Sequence, residues 1–280
     1  MTAAANYQSR VQAGEPCQCQ GLEDLVDYVG DHLPTLESRY TEPLLSAHAA
    51  RLFTRHGRVE AEVGPFTLSS QSRRVVSAHR SAMTLAWSSQ LQVNSITGRE
   101  ITEQTLIRLQ TTDAAAVAMD RLIRTLHMLN HLACARENHD LWVSVSLRHL
   151  LAVDSGHGAF FEDLLHRCGL GPSRIVLVLQ LPTLREPRPL HLLEATRAYA
   201  ARGFRLALKL GGPIDDAQQA FIRAVAPAWL KLPPRDLPHI CQQFPDVPVL
   251  LSGPEAAQNA SLRADDLIET DSLPQAKFVL

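Results

Sequence analysis

Residues 174–182 read RIVLVLQLP, a run that is apolar on both faces of an extended chain and rich in branched side chains. Five other short apolar runs share this character: LWVSVSL (141–147), FRLALKLG (204–211), AWLKLP (228–233), VPVLLS (247–252) and DLIET (266–270). Helical patterns separate the runs, near residues 114–135, 159–168, 189–202, 215–225 and 235–244. Strands that are apolar on both faces and alternate with helices are typical of a parallel sheet covered on both sides.

Repeated strand–helix units of this kind predict either a β/α barrel or an open doubly wound sheet. Open sheets that bind nucleotides carry a glycine-rich loop where a helix begins. Neither a GxGxxG loop nor a Walker-type loop opens any of these helices. We therefore predict an α/β protein whose residues 86–280 form a β/α barrel.

Residues 1–85 show a different pattern and are predicted to form a small N-terminal extension, helical or α+β, of unrecognised family. Apolar residues at helical spacing, or alternating ones next to turn residues, carry this prediction. The predicted elements are helices over 21–33, 43–56 and 72–87, and a hairpin that joins strands at 59–63 and 66–68 through Gly64-Pro65.

Composition narrows the classes of partner. The chain has 280 residues and a net charge of −2, with its basic residues spread singly, so we predict no nucleic-acid partner. No apolar run approaches the roughly 20 residues that cross a bilayer, and the N-terminus lacks a signal-peptide core, so a cytoplasmic protein with no membrane partner is expected. The five cysteines are scattered and indicate no disulfide framework. No cofactor is predicted.

Residues 97–109, TGREITEQTLIRL, resemble the signature strand of EAL domains, which reads roughly TGR-x-x-G-x-EAL-x-R. EAL domains are barrels that bind and hydrolyse cyclic di-GMP. The resemblance extends from about residue 79, where HRSAMTLAWSSQLQVNSITGR (79–99) resembles the family's entry helix, first strand and following turn, to about residue 275. The later matches, in order, are MDRLIRTL (119–126), VSVSLRHL (143–150), CGLGPSRIVLVLQL (168–181), ARGFRLALKLGG (201–212), PAWLKLPP (227–234), VLLSGPEA (249–256) and DDLIETDSLP (265–274). It implies an EAL-like (β/α) barrel.

In that family two metal ions activate a water, so carboxylates must gather at the carboxyl ends of the strands. The resemblance places other residues at those positions, namely Gln104, Ser146, Val178, Lys209, Leu210, Pro233 and Ser252. An amide or hydroxyl offers one weak oxygen ligand, a valine offers none, and a lysine repels a cation. We therefore predict a degenerate EAL-like barrel that holds no metal and is not an enzyme.

Four positions keep residues that the resemblance associates with ligand binding. Leu106 and Arg108 match a base-facing leucine and a phosphate-facing arginine, Lys231 matches a strand lysine, and Glu255 matches a late acid. Each also has a simpler interpretation. Leu106 suits core packing, Arg108 a surface ion pair, Lys231 a buried salt bridge, and Glu255 the start of a helix.

Three other patterns have simple explanations. His127 and His131 have the i, i+4 spacing of a metal pair, but no third ligand is evident, and an exposed helix face is the favoured interpretation. Cys17 and Cys19 lie in a polar segment without a second cysteine pair. Gly211-Gly212 is followed by Pro213, which lacks the N–H that an anion-binding loop needs, so a tight turn is favoured.

The resemblance implies a bacterial regulator that acts through a protein partner in motility, pili, biofilm or transcription. A non-hydrolysing cyclic di-GMP receptor that uses Arg108 and Lys231 is the alternative. An unrelated barrel enzyme is a third hypothesis, because a fold does not determine a function. The apolar face of the 21–33 helix must be covered by the barrel, by a partner, or by a second copy in a homodimer.

Overall fold

The computed structural model describes residues 21–40, 50–134, 136, 138–181, 189–253, 256 and 262–270 of the chain. For residues 36–40 and 80–82 it describes the backbone alone. Within these ranges no helix combines the length and the apolar character that crossing a membrane requires.

The strands form a single sheet that closes on itself. Their bounds are β1 Arg51–Arg55, β2 Arg58–Val63, β3 Phe66–Ser77, β4 Arg80–Ser95, β5 Glu100–Ile101, β6 Asp140–Val145, β7 Ile175–Gln180, β8 Arg205–Lys209, β9 Trp229–Leu232, β10 Val249–Leu251 and β11 Leu267–Thr270. Eight of them make a closed barrel in the order β3-β11-β10-β9-β8-β7-β6-β4, because β4 pairs with β3. Within the barrel, β4 and β6 to β11 run parallel to one another, and β3 is antiparallel to its two barrel neighbours, β4 and β11.

Helices cover the outside of the barrel. Their bounds are α1 Leu22–Tyr40, α2 Glu103–Arg108, α3 Asp113–Ala133, α4 Leu147–Ala152, α5 Ala159–Arg167, α6 Pro189–Ala201, α7 Asp216–Val225 and α8 Leu237–Gln243. The longest buried helix, α3, begins after Thr112, whose side chain accepts a hydrogen bond from the backbone N–H of Ala115 at 3.1 Å. This cap satisfies one of the free N–H groups at the helix start.

Side-chain alternation along the strands separates two cores. In β7, Val176 and Val178 point inward and join the inner cluster with Trp142 and Ala207. The intervening Leu177 points outward and packs in the larger cluster beneath the helices. This arrangement explains why the strand runs are apolar at every position, as a sheet covered on both faces requires.

The N-terminal helix α1 packs on the barrel. Val26, Val29 and Leu33 are all buried, and Arg167 of α5 donates a hydrogen bond to the Tyr28 hydroxyl at 3.4 Å. The helix predicted over 21–33 is therefore confirmed. The chain itself therefore covers these apolar residues of the helix.

The predicted hairpin between 59–63 and 66–68 is also confirmed, since Val63 pairs with Phe66 and Ala61 with Leu68. The helix predicted over 72–87 is wrong, because those residues form the end of β3 and the beginning of β4. Of the helix predicted over 43–56, residues 51–55 are strand β1, and 41–49 lie outside the described residues.

The predicted division between residues 85 and 86 needs correction for a physical reason. It falls inside β4, and β3, which precedes it, is hydrogen-bonded to β4 and β11 and closes the barrel. Residues 51–85 therefore belong to the same sheet as the rest of the chain. The predicted β/α barrel itself is confirmed.

Candidate functional site

The carboxyl ends of the parallel strands meet at one rim of the barrel, the end where barrel sites lie. Side chains two residues apart along a strand share a face, so the inner core predicts which residues point into this rim. The inner-core residues that serve as reference points are Ala86, Ala207, Trp229, Leu267 and Val75. Two residues closer to the rim on the same strands lie, in that order, Ser88, Lys209, Lys231, Glu269 and Arg73. We call this set the barrel mouth.

A buried ion pair lies inside the mouth. Lys231 Nζ is 3.0 Å from Glu269 Oε1 and donates to Ser88 Oγ at 3.3 Å, and all three residues are buried. Burial acts to raise the pKa of Glu269, but Lys231, Ser88 and Arg73 outweigh burial and hold this pKa below its usual range. The Glu269 carboxylate is therefore ionised, and its charge is matched by Lys231.

A second lysine stands directly beside this pair. Lys209 and Lys231 occupy register partners on the adjacent parallel strands β8 and β9 and face the same side. Burial lowers the pKa of Lys231, and the positive charges of Lys209 and Arg73 lower it further against the opposing effect of Glu269. Unlike Lys231, Lys209 is exposed, and within the described part of the chain its ammonium makes no ion pair.

Glu103, the first residue of α2, lies near the mouth. Its pKa is raised to about 7 by burial and by the nearby charge of Asp120, while Lys209 acts in the opposite direction. At neutral pH this carboxyl is therefore only partly ionised. It gives Lys209 a weak counter-charge, without contact at ion-pair distance.

Six of the predicted degenerate positions lie on the parallel strands or directly after them. Val178 points into the barrel, and Lys209 and Ser146 lie at the carboxyl ends of their strands, with Ser146 capping α4 through the His149 N–H at 3.0 Å. Leu210 is buried in the outer core, whereas Pro233 and Ser252 directly follow the strand ends of β9 and β10. These positions therefore lie at or near one rim.

The predicted signature strand is wrong in its local structure. Residues 103–108 form helix α2, which begins at Thr102, and not a barrel strand. Gln104 and Arg108 are exposed on this helix, while Leu106 is buried under it in the outer core. The strand that lies beside β6 in the barrel is β4, and it contributes Ser88 to the mouth.

The ligand residues predicted from the resemblance are therefore not gathered in one place. Lys231 is in the mouth, Arg108 is on the outer face of α2, and Leu106 is in the core. Glu255 lies outside the described residues. Arg73, Ser88 and Glu269 are mouth residues that the sequence interpretation did not identify. Glu269 carried a usable signal, because a charge inside the apolar run 266–270 resembles the case of Lys231.

The mouth residues do not fit the pair of metal ions that the EAL resemblance implies. Hard divalent cations need several oxygen ligands, mostly carboxylates. Glu269 supplies one carboxylate, already paired with Lys231, and the second lysine adds like charge where a cation would bind. Among the described residues no group of three His, Cys, Asp or Glu side chains is placed to hold a metal ion.

A second polar network, absent from the sequence interpretation, is buried in the helix layer. Arg124 Nη2 is 2.8 Å from Asp120 Oδ2, and Asp120 Oδ1 accepts the Ser146 N–H at 2.7 Å. His149 Nδ1 lies 3.3 Å from Asp120, and burial together with Arg124 keeps the pKa of His149 well below its usual range. The network ties α3 to the carboxyl end of β6 and to the start of α4.

His127 and His131 are not on an exposed helix face, which corrects the favoured interpretation. Both are buried, with 1% and 2% of their surface exposed. His127 Nδ1 hydrogen-bonds Ser70 Oγ at 2.7 Å, and His131 Nε2 lies 3.2 Å from the His139 carbonyl oxygen. They fill the interface between α3 and the barrel rather than forming a metal pair.

Comparison with known proteins identifies the fold. No model of a known family and no curated protein sequence matches the chain. Solved EAL-domain structures do match. The Bacillus subtilis YkuI protein, with an EAL domain and in complex with substrate c-di-GMP and calcium, superimposes with a TM-score of 0.56 and 13% identity over 74% of this chain. The Klebsiella pneumoniae BlrP1 complex with calcium and cyclic di-GMP superimposes with a TM-score of 0.57 and 13% sequence identity over 96% of this chain.

The EAL-like domain protein YdiV matches with a TM-score of 0.51 and 12% identity, over 73% of this chain and 90% of YdiV. By contrast, the chain spans 56% of YkuI and 70% of BlrP1. At these identities the likeness shows the fold. The chain folds as an EAL-like barrel.

Proposed function

We propose that this chain is a non-hydrolysing EAL-like protein of cyclic di-GMP signalling, and that it acts in the bacterial cytoplasm through a regulatory protein partner. The observation that carries the proposal is the pair of neighbouring lysines, Lys209 and Lys231, in the barrel mouth. Two-metal hydrolysis needs clustered carboxylates to hold the cations and to lower the pKa of the attacking water. This mouth has two lysines and one carboxylate, Glu269, whose negative charge is already paired with Lys231. The arrangement supports the loss of two-metal hydrolysis.

The first test measures hydrolysis. The purified full chain is incubated with cyclic di-GMP and either Mg²⁺ or Mn²⁺, with the Lys209→Gln variant as the control. We expect no turnover by either protein. Turnover by the wild type that the variant loses would mean that the mouth is catalytic and would overturn the proposal.

The second test concerns the partner. The full chain and an Arg108→Ala, Lys209→Ala double variant are used to capture proteins from the native cell. Both side chains are exposed, so the variant is expected to fold normally. We expect both proteins to retain the same partner, because the contact is made by a protein surface that includes neither the mouth lysine nor the exposed Arg108 of α2.

A non-hydrolysing cyclic di-GMP receptor is the second candidate, favoured by the positive charges of Arg73, Lys209 and Lys231 around one mouth. Calorimetric titration with cyclic di-GMP, with and without Mg²⁺, tests it directly. If the double variant alone loses the partner, and added cyclic di-GMP strengthens the wild-type complex, the receptor function replaces our first proposal.

A further inference from the structure

A small apolar cavity lies between the β2–β3 turn and the start of α3. Its volume is about 230 Å³, and its lining includes Val63, Pro65 and Phe66 beside the turn and Ala115 and Met119 of the helix. We call it the turn cavity. Pockets that bind small-molecule ligands are usually larger, roughly 300–1,000 Å³. The turn cavity therefore fits a single apolar side chain better than a whole ligand.

Exposed apolar side chains border the turn cavity. Within the described ranges, four large apolar side chains are at least half exposed, and two of them are Ile96 at 84% and Leu109 at 54%. Leu109 lines the cavity. Ile96 adjoins it, because the Ile96 N–H donates to the carbonyl oxygen of the lining residue Pro65 at 2.9 Å. Single exposed apolar residues are ordinary, whereas two beside one cavity indicate a contact surface.

Ile96 lies on a hydrogen-bonded turn between β4 and β5. The Ser95 N–H donates to the Arg99 carbonyl oxygen at 3.0 Å, and the Gly98 N–H donates to the Ser95 carbonyl oxygen at 2.8 Å. Gly98 has a φ of 76°, a conformation that glycine adopts without strain. Because this backbone is already ordered, little chain entropy is lost when Ile96 enters a cavity of another molecule.

The charges next to Ile96 are of both signs. Arg99 and Glu100 are adjacent and exposed, and neither makes an ion pair with another described residue. Across a two-fold axis the same surface meets itself, so Arg99 of one molecule can pair with Glu100 of the other. A surface with an excess of one sign would instead repel its own copy. The charges therefore favour a second copy of this chain as the occupant.

We infer that the chain forms a two-fold symmetric dimer in which Ile96 of each molecule inserts into the turn cavity of the other. A two-fold interface must be self-complementary. An exposed apolar side chain beside a cavity that can hold it meets this requirement. The two reciprocal insertions bury both copies of Ile96 and cover the exposed Leu109 at the cavity. This dimer requires neither the barrel mouth nor the protein partner proposed above.

Analytical ultracentrifugation of the full chain over a range of concentrations tests the inference. Wild type is compared with Ile96→Asp, which removes the inserted side chain, and with Ala115→Phe, which fills the cavity. The matched control is Leu190→Asp, which places the same charge at an apolar residue of α6 that is 75% exposed. We expect each of the first two changes to weaken dimerisation by about tenfold or more, and the control to leave it unchanged.

A mixture of the two variants tests the reciprocal arrangement. The Ala115→Phe chain keeps Ile96, and the Ile96→Asp chain keeps an open cavity, so a mixed dimer retains one of the two insertions. We expect the mixture to dimerise more strongly than either variant alone and less strongly than the wild type. A mixture that associates no better than its components would overturn the inference.

A monomeric wild type would also overturn it, as would equal weakening by Ile96→Asp and Leu190→Asp. Circular dichroism melting checks that the variants fold, and if Ala115→Phe does not, Ile96→Asp against its control decides alone. Capture from the native cell separates the two proposals. A monomeric wild type that captures the protein partner would refute the dimer and leave the proposed function intact. A dimeric wild type that captures no partner would do the reverse.

Discussion

Lys231 and Glu269 form an ion pair inside the barrel, so a single substitution leaves the partner's charge buried without compensation. We expect Lys231→Met to lower the free energy of unfolding by about 3–5 kcal/mol. The double variant Lys231→Met, Glu269→Leu should recover most of this loss, because both charges are then removed. Urea denaturation of the three proteins measures the effect. Equal stability of wild type and Lys231→Met would show that the pair is solvated.

Gly158, the residue that precedes α5, has a φ of 84°, and a Cβ added there would lie 2.8 Å from the Tyr199 ring. We expect Gly158→Ala to be destabilising through both backbone strain and this clash. Gly156 is the matched control, since its φ is 71° and nothing lies near its Cβ position. Thermal unfolding should show a smaller loss for Gly156→Ala. Equal losses would mean that Tyr199 moves away freely.

His127 gives a testable pH dependence. Burial lowers its pKa from 6.5 to about 3, so the folded protein keeps the ring neutral while the unfolded chain protonates it below pH 6.5. Stability is therefore lost as the pH falls from 6.5 toward 3, by about 2 kcal/mol at pH 5. The His127→Gln variant should lack this part of the loss. Unfolding free energies at pH 7 and pH 5 compare the two proteins, and identical pH slopes would contradict the assignment.

At the scale of single elements, the parallel strands were predictable because both of their faces are buried, which leaves a continuous apolar run. Strands β3 and β4 were not, for two physical reasons. Their mouth-facing positions are polar, as at Arg73 and Ser88, so the alternation is broken. The pairing also shifts register beside Val75 and Val76. Val75 lies in the inner core and Val76 in the outer core, so two adjacent apolar residues replace the alternation of apolar and polar residues that indicates a strand.

Residues 103–108 show the opposite error. The EAL resemblance predicted a strand there, although the local sequence predicts the start of a helix. Thr102 followed by Glu103 is the pattern of a helix start, and the Thr102 side chain does accept the Thr105 N–H at 3.1 Å. The mouth itself was predictable only in part. Lys209 and Lys231 lie in recognisable strands, but their proximity depends on the register of β8 and β9, which no local pattern specifies.

Helix α3 contains Asp120 and Arg124, whose buried polar network also holds the Ser146 N–H. The stability of the first turn of this helix therefore affects contacts beyond that turn. The Thr112 side chain caps this helix, and we expect Thr112→Ala to cost about 1 kcal/mol of stability. Thr111→Ala is the control. Thr111 is exposed and precedes the cap, so its loss should stay within about 0.5 kcal/mol. Denaturant titration distinguishes them, and equal effects would show that the cap adds nothing measurable.

At the scale of the whole molecule, the closed sheet determines which parts of the chain can be removed. A chain that lacks residues 1–85 loses all of β3, the strand that lies between β4 and β11 and is hydrogen-bonded to both. An opened barrel exposes two strand edges and its inner core. We expect this truncation to abolish cooperative folding. If the truncated chain failed to capture a protein partner, the cause would be unfolding and not the removal of a binding surface.

A chain that begins at residue 50 tests the N-terminal segment without opening the barrel. It keeps all eight barrel strands but uncovers the surface on which Val26, Val29 and Leu33 of α1 are buried. Burying three such side chains is worth roughly 5–8 kcal/mol before the entropy of ordering the helix is subtracted. We therefore expect a folded but less stable protein that associates through this apolar surface. Circular dichroism melting and gel filtration of both truncations decide the matter, and a folded chain without residues 1–85 would refute the requirement for β3.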